Sequence, residues 1–205
     1  MKNQDDQSSF WSGAFGDEYI LRNTSKDESV AKMIMFSRML RNANKVGSAV
    51  ELGCNIGLNL EALKSLNADV LLSGYEINKS AILEARDLSI GSIHEANITR
   101  PIKIEAKFEM SFTVGVLIHV APEQLTQVYD NLYNLSSRYI LICEYYSPTP
   151  VMVEYRGNKD KLFKRDFAGE MIDLYDLTLI DYGFFYNRDN QFTYGDFNWF
   201  LLERK

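Results

Sequence analysis

Two glycines and one carboxylate have the spacing of a binding site for an adenosine group. Residues 50–57 read VELGCNIG, and Glu76 follows Gly57 by nineteen positions. Glycines such as Gly53 and Gly57, placed between a strand and a helix, let the backbone turn sharply and approach a ligand closely. A carboxylate at the end of the next strand can accept hydrogen bonds from both hydroxyls of a ribose. The spacing therefore predicts a nucleotide-like ligand.

The order of residues in this loop separates two such ligands, a dinucleotide and S-adenosylmethionine (SAM). A dinucleotide site requires Gly-x-Gly-x-x-Gly and a helix N-terminus that is free for the pyrophosphate. Here the order is Gly-x-Asn-x-Gly, preceded by Glu51. It resembles the first motif of class I SAM-dependent methyltransferases, Glu/Asp-x-Gly-x-Gly-x-Gly, with Asn55 in place of the middle glycine. An oxidoreductase is also disfavoured because no Tyr-x-x-x-Lys pair stands in the expected place after the fourth predicted strand. The resemblance implies SAM as the cofactor and S-adenosylhomocysteine (SAH) as its product.

Alternating strand and helix patterns place this loop in an α/β fold. We expect a Rossmann-like, mostly parallel seven-stranded sheet with an antiparallel last strand and helices on both faces. Asn78 suits a helix N-cap and Pro122 a first helical turn. The predicted strands cover 48–53, 70–76, 92–95, 110–118, 139–145, 177–185 and 198–203, and the predicted helices cover 27–44, 57–66, 78–88, 122–135 and 167–175. We expect one domain over 1–205, with an N-terminal lid and helix at 1–46 and an inserted substrate-side segment at 146–166.

Composition narrows the class of protein. A net charge of −6 and a pI near 5.0 argue against a broad surface for duplex nucleic acid. Because the N-terminal residues lack a signal-peptide core and no run of about 18 apolar residues occurs, we expect a cytoplasmic protein without a membrane segment. Cys54 and Cys143 have no metal-ligand spacing, so we expect neither a metal site nor a disulfide.

A closer resemblance covers nearly the whole chain. The order of motifs is similar to that of the methylases associated with pseudaminic acid biosynthesis. The segments that carry the likeness are FW at 10–11, FGDEY at 15–19, ELG at 51–53, NIG at 55–57, GVLIH at 115–119, EYY at 144–146, EYRG at 154–157 and KDKLFKRDFAGE at 159–170. The resemblance implies a role near sugar-acid biosynthesis and leaves the acceptor open.

Methyl transfer requires alignment, a dry cavity and a base if the acceptor is a hydroxyl or an ammonium. Residues that follow the fourth and fifth strands should face the methyl group. The catalytic candidates are therefore His119, Glu144 and Tyr146. His119 has the right type for a base near neutral pH, although backbone hydrogen bonds could equally satisfy it. Glu144 and the tyrosines could orient the acceptor or simply pack.

The remaining candidates bind cofactor or acceptor. A basic cluster lies between 155 and 165 in an otherwise acidic chain, and guanidinium groups suit a carboxylate or phosphate. It predicts an anionic small-molecule acceptor, unless Asp160 and Asp166 merely balance a solvated loop. The substrate-binding candidates are Tyr145, Tyr155, Arg156, Lys164 and Arg165. The cofactor-binding candidates are Tyr19, Arg22, Glu51, Gly53, Asn55, Gly57, Glu76, Ile77, Asn97 and Gly115.

The sequence thus favours a SAM-dependent methyltransferase that acts on a sugar acid or a nucleotide-activated sugar. Two alternatives stay open at this point. One is a methyltransferase that acts on a free nucleotide or another small metabolite. The other is a SAM-binding pseudoenzyme, which would share the cofactor loop and differ only in its acceptor pocket.

Overall fold

A computed structural model describes residues 6–20, 26–190 and 195–205, apart from the side chains of residues 6, 26–28, 158 and 159. Arg22 lies outside these ranges. The chain starts with two short helices, α1 (Asp6–Ser12) and α2 (Ala14–Ile20), and then a longer helix, α3 (Lys26–Met39). Within the described ranges, no helix combines the length and the apolar character needed to cross a membrane.

A seven-stranded sheet forms the centre of the fold. Its strands are β1 (Ser48–Leu52), β2 (Leu71–Glu76), β3 (Ser92–Glu95), β4 (Phe108–Val114), β5 (Ser136–Glu144), β8 (Leu177–Phe185) and β9 (Phe197–Arg204). Their order across the sheet is β3-β2-β1-β4-β5-β9-β8, and β9 runs in the direction opposite to the other six. The predicted sheet, with its antiparallel last strand, is confirmed.

Helices cover both faces because side chains along each strand alternate between two cores. On β5, Leu141 belongs to the core under α3, α4 (Leu58–Leu66) and α5 (Lys79–Asp87), whereas Ile140 belongs to the opposite core. The second core packs under α6 (Leu125–Leu135) and α7 (Phe167–Leu174). Asn78 caps α5 as predicted, since its side chain accepts a hydrogen bond from the Ala81 N–H at 2.9 Å.

The fourth strand ends earlier than its apolar pattern predicts. The expectation was a strand over 110–118, but β4 ends at Val114 and residues 117–119 form a 3₁₀ turn. Gly115 has φ of 68°, a left-handed conformation that ends the strand. The residues beyond it are apolar because they enter the core beneath α6, which a strand pattern alone does not distinguish.

Two further segments differ from expectation. The polar stretch after β5 forms a hairpin of β6 (Val151–Tyr155) and β7 (Asn158–Lys164). Arg156 and Gly157 form its turn with φ of 50° and 78°, as two-residue hairpins with the twist of strands require. The helix predicted over 27–44 ends at Met39. On it Val30 is 59% exposed, whereas Met35 is fully buried.

Candidate active site

The turn after β1 has the backbone shape that its glycines predict. Gly53, Asn55 and Gly57 have φ of 77°, 47° and 85°. Asn tolerates the left-handed region better than other side chains do, which explains how Asn55 replaces a glycine here. A Cβ on Gly53 would lie 2.8 Å from the Val116 side chain, so a larger residue has no room. The turn is therefore held tightly against the end of β4.

Glu76 ends β2 directly beside this turn and organises it. Its carboxylate accepts hydrogen bonds from the backbone N–H groups of Asn55 at 2.8 Å, Ile77 at 2.7 Å and Asn78 at 2.9 Å. An ionised carboxylate has about four acceptor positions. Since these three bonds occupy three of them, Glu76 retains one position for a ligand donor.

One cavity lies over the carboxyl ends of β1, β2 and β4 and brings together residues that the sequence assigned separately. The catalytic candidate His119 lies in its wall. Seven cofactor-binding candidates also line it: Tyr19, Gly53, Asn55, Glu76, Ile77, Asn97 and Gly115. Glu51 and Gly57 lie behind this lining: Glu51 is fully buried, and a Cβ on Gly57 would meet Ala85 and Leu88.

A buried polar chain that sequence reasoning missed runs behind the glycine turn. The Lys32 Nζ donates to Asn59 Oδ1 at 2.9 Å, and Asn59 Nδ2 donates to Glu51 Oε1 at 2.6 Å. Burial raises the pKa of Glu51 to about 8, although Asn59 and the Lys32 ammonium both favour its ionised form. A signal for Lys32 was present, because it shares a helix face with Met35, Phe36 and Met39 at helical spacing.

His119 is held in one tautomer. Its Nδ1 lies 2.7 Å from the Lys161 carbonyl oxygen on β7. Because a carbonyl only accepts, Nδ1 carries the proton and Nε2 keeps its lone pair. The imidazole ring lies between the rings of Trp11 and Tyr155, with centroid distances of 4.6 and 5.0 Å. Burial lowers the pKa of His119 to about 4, against the smaller opposing effect of the Lys161 carbonyl.

The two N-terminal helices cover the cavity, and hydrogen bonds hold them there. Asn97 Nδ2 donates to the Ser8 hydroxyl at 2.8 Å. Asn78 Nδ2 donates to the Trp11 carbonyl at 3.2 Å and to the Asp17 carboxylate at 3.0 Å. Sequence reasoning missed Ser8, which carries no motif. Its place in the wall depends on the tertiary position of α1 and has no local signal.

Glu144 points beneath the loop that presents His119. Its buried carboxylate accepts hydrogen bonds from the backbone N–H groups of Val116, Leu117 and Ile118 at 3.0, 3.1 and 3.4 Å. Burial raises its pKa to about 7, although these three bonds favour the ionised form. Among the described residues it does not line the cavity. Its contacts thus shape the backbone between β4 and His119.

The substrate-binding candidates lie on or beside the hairpin. Tyr155 contacts His119, and Arg156 lies at the exposed hairpin turn with its guanidinium 5.8 Å from the Tyr155 ring. Lys164 Nζ lies 5.2 Å from the ring of Tyr145. Arg165 donates to Glu170 at 2.7 Å, so this charge is already paired.

Tyr146, the third catalytic candidate, lies away from the cavity. Its side chain is 39% exposed and its ring lies 6.1 Å from that of Phe200 on β9. Among the described residues that form the cavity wall, neither Tyr146 nor the substrate candidates of the hairpin occur. The structure thus brings His119 together with the predicted cofactor residues, whereas Tyr146 lies on the surface outside the cavity lining.

Comparison with known proteins gives structural matches only. Neither a protein-family model nor a curated protein sequence matches the chain. The closer resemblance to methylases of pseudaminic acid biosynthesis is therefore not confirmed and stays a hypothesis based on motifs. The alternating strands and helices, in contrast, agree with the fold of solved structures.

Three solved methyltransferases resemble the chain over almost its full length. Magnesium protoporphyrin IX methyltransferase from Synechocystis PCC 6803, with bound SAH, aligns with a TM-score of 0.72 at 11% identity and covers 97% of this chain and 98% of its own. A SAM-dependent methyltransferase from Clostridium acetobutylicum gives 0.64 at 10% identity, over 93% and 97% of the two chains. The plantazolicin methyltransferase BamL, in complex with a triazolic desmethylPZN analog and SAH, gives 0.67 at 12% identity, over 98% and 95%. The chain therefore has the fold of class I SAM-dependent methyltransferases.

Proposed function

We propose that this chain transfers a methyl group from SAM to a small anionic acceptor, with a sugar acid or a nucleotide-activated sugar as the leading candidates. One observation carries the proposal. The glycine turn, the Glu76 carboxylate and His119, which the sequence assigned to cofactor binding and proton transfer, line a single cavity at the carboxyl ends of the strands. In α/β sheets of this kind, ligands bind at that position.

The residues of the cavity fit the adenosine part of SAM. The remaining acceptor position of Glu76 suits one ribose hydroxyl, so we expect the second hydroxyl to use another group. Asn97 and Ile77 also line the cavity, and we expect them to contact the adenine. Gly53 lines the cavity, and because it has no side chain its backbone can approach the ligand closely. When bound, SAM supplies an electrophilic methyl group on a positively charged sulfur.

His119 is the residue that we expect to accept a proton from the acceptor. Its Nε2 has a lone pair because Nδ1 donates to the Lys161 carbonyl. In this proposal Nε2 accepts the proton that a hydroxyl acceptor loses as it takes the methyl group, or the proton that an ammonium acceptor loses before its nitrogen attacks the methyl group. The low pKa of His119 keeps the imidazole neutral at neutral pH. The rings of Trp11 and Tyr155 lie against the imidazole and reduce its contact with water.

An anionic acceptor is supported by charge on the hairpin that supplies Lys161. Arg156 and Lys164 lie on this hairpin, close to the rings of Tyr155 and Tyr145. The hairpin contacts the 3₁₀ turn of His119 through the Lys161 carbonyl. An acceptor that reaches His119 therefore passes near these cations, where a carboxylate or phosphate would be stabilised.

Calorimetric titration with SAM, SAH and NAD in parallel tests the cofactor without requiring the acceptor. We expect SAM and SAH to bind and NAD to show no binding. Binding of NAD alone, or of none of the three, would contradict the interpretation that Gly53, Gly57 and Glu76 form a SAM site.

A second assay tests the acceptor class. The protein is incubated with SAM and separate pools of sugar acids, nucleotide-activated sugars, free nucleotides and neutral sugars. The masses of the products are then measured by mass spectrometry. We expect methylated product in an anionic sugar pool. Product from free nucleotides alone would support the alternative acceptor, and SAM binding without product in any pool would favour a SAM-binding protein that is not an enzyme.

A further inference from the structure

Two residues of α1 that line the cavity each carry a buried polar atom. The atoms are Gln7 Oε1, which only accepts hydrogen bonds, and Trp11 Nε1, which only donates them. Neither atom has a hydrogen-bond partner among the described residues. A buried donor or acceptor that stays unpaired costs free energy and calls for an explanation. Because both residues border a cavity, a ligand is the explanation that we examine.

The helix directs these two residues toward His119. Gln7 and Trp11 are four positions apart, so they share one face of α1. On this face Gln7 Nε2 donates to the Asp160 carbonyl on β7 at 2.8 Å. The Trp11 ring lies 4.6 Å from the imidazole of His119, measured between centroids. The unpaired acceptor and the unpaired donor therefore lie on the side of the cavity where we expect proton transfer.

A neighbouring residue of α1 serves the other side of the cavity. Ser8 is rotated by about 100° from Gln7 around the helix axis, and its hydroxyl accepts a hydrogen bond from Asn97, which we expect at the adenine. The helix thus meets the cavity with two faces. The face of Ser8 is already paired with a cofactor candidate, which leaves the face of Gln7 and Trp11 for the acceptor.

A hydroxyl group satisfies both unpaired atoms at once, because it donates one hydrogen bond and accepts others. A carboxylate could accept from Trp11 Nε1 but has no proton for Gln7 Oε1, and an ammonium group has the opposite deficiency. Residues four apart on a helix are neighbours, so a single hydroxyl can bridge Gln7 and Trp11. This hydroxyl differs from the one that His119 Nε2 deprotonates.

We infer that Gln7 and Trp11 form a specificity site for a second acceptor hydroxyl, which lies next to the hydroxyl that is methylated. The inference rests on the proposed function, because it takes His119 as the proton acceptor in methyl transfer. It restricts the acceptor to compounds with neighbouring hydroxyl groups, such as sugars and ribonucleosides. Recognition of hydroxyls then belongs to α1, whereas the basic hairpin recognises the anionic part of the same molecule.

Deoxy analogues of the acceptor test this site. The acceptor comes from the pool that yields methylated product, and each analogue lacks the hydroxyl on one of the carbons beside the methylated position. The wild type should use one analogue with a kcat/KM at least about tenfold lower, since the analogue leaves both buried atoms unpaired. Equal use of the parent and all analogues would show that only water bridges the two residues, and would overturn the inference.

Trp11→Phe removes the N–H and keeps an aromatic ring beside His119. It should lower kcat/KM for the parent acceptor about tenfold and leave kcat/KM for the affected analogue unchanged, because that analogue has no hydroxyl for the N–H to bind. The same loss for parent and analogue would indicate a packing role and overturn the inference. Calorimetric titration should show unchanged affinity for SAH, and a loss here would overturn it by assigning Nε1 to the cofactor.

Trp199→Phe is the matched control. Trp199 is buried on β9 and lies outside the lining of the cavity. This variant loses the same atoms as Trp11→Phe but should keep the wild-type preference for the parent acceptor over the analogue. A loss of that preference in the control would overturn the inference, because the effect would not require the cavity.

A double variant tests whether the two residues bind one hydroxyl. Gln7→Met also removes the bond to Asp160, but this effect is common to both substrates and cancels in the ratio of their kcat/KM values. Gln7→Met/Trp11→Phe should use the parent and the affected analogue equally well, and a remaining preference for the parent would overturn the inference. If the wild type methylates an acceptor without a neighbouring hydroxyl, the inference alone fails. If it binds neither SAM nor SAH, or methylates no pool, the proposed function fails and the inference with it.

Discussion

Acidification should destabilise this protein through His119. Burial lowers the pKa of His119 from 6.5 to about 4. A group whose pKa is depressed by folding stabilises the folded state above its unfolded pKa, and this contribution is lost as the pH falls through the folded pKa. This pKa shift corresponds to about 3 kcal/mol of unfolding free energy. The partial exposure of the ring reduces this value to about 2–3 kcal/mol. The loss should therefore occur between pH 6.5 and 4.

Nuclear magnetic resonance measures this pKa directly. The chain contains two histidines, His94 and His119, so only two imidazole Cε1 resonances are present, and His119→Gln identifies the one that belongs to His119. Urea unfolding of the wild type and of His119→Gln at pH 7 and pH 4.5 then gives the part of the unfolding free energy that depends on protonation of His119. The difference in unfolding free energy between the two proteins should be smaller at the lower pH, because the glutamine does not titrate.

A pKa for His119 near 6.5 would refute this reasoning. It would mean that the rings of Trp11 and Tyr155 stabilise the imidazolium through cation–π contacts more than burial destabilises it. A free-energy difference that does not change with pH would contradict the prediction independently. A pKa near 6.5 would still leave most of the imidazole neutral at pH 7, so it would refute the burial argument and not the role of His119 as a base.

Three other predictions concern binding. Glu76→Ala should weaken SAH binding by about 1.5–3 kcal/mol, whereas Glu95→Ala, at the exposed end of the neighbouring strand, should not; unchanged affinity in calorimetry would remove Glu76 from the site. Since Trp11 and Trp199 are the two tryptophans, Trp199→Phe leaves Trp11 as the sole fluorophore, and SAH should shift its emission; a constant spectrum would show that α1 does not sense the ligand. Arg156→Gln should raise the KM of an anionic acceptor about tenfold without changing the melting temperature, and a KM that stays constant would contradict an electrostatic role at the hairpin turn.

Local patterns predicted the centre of the fold well. The pattern of β8 gave its bounds without error, and the sheet strands around the glycine turn agree to within a few residues. These elements follow from side-chain periodicity and from Gly and Asn at positive φ, which are local properties. The Glu76 carboxylate could be placed for the same reason, because a strand end and a glycine turn fix its distance from the loop.

The parts that sequence reasoning missed depend on tertiary contacts. The hairpin after β5 has a polar sequence whose strands pair with each other, and its basic residues resemble those of a solvated loop. Glu144 was expected near the acceptor, but its position is set by three backbone N–H groups that appear only once Gly115 reverses the chain. Lys32 and Ser8 reach the cavity from N-terminal helices that precede the alternating strands and helices, and no spacing rule connects them to Gly53.

The place of β9 within the sheet has a consequence for how the protein is made. This strand is the last in the sequence, yet it lies between β5 and β8 and pairs with both. During synthesis β8 therefore leaves the ribosome before β9, its sheet neighbour in the described part of the chain, exists. Its aromatic side chains Tyr182 and Phe184 stay without a paired strand until residues 197–204 have been synthesised. A nascent chain stalled before Phe197 should carry an open sheet edge beside β5, which is a site for chaperone binding or for pairing with another chain. The cofactor half of the sheet, from β3 to β5, can form before that moment.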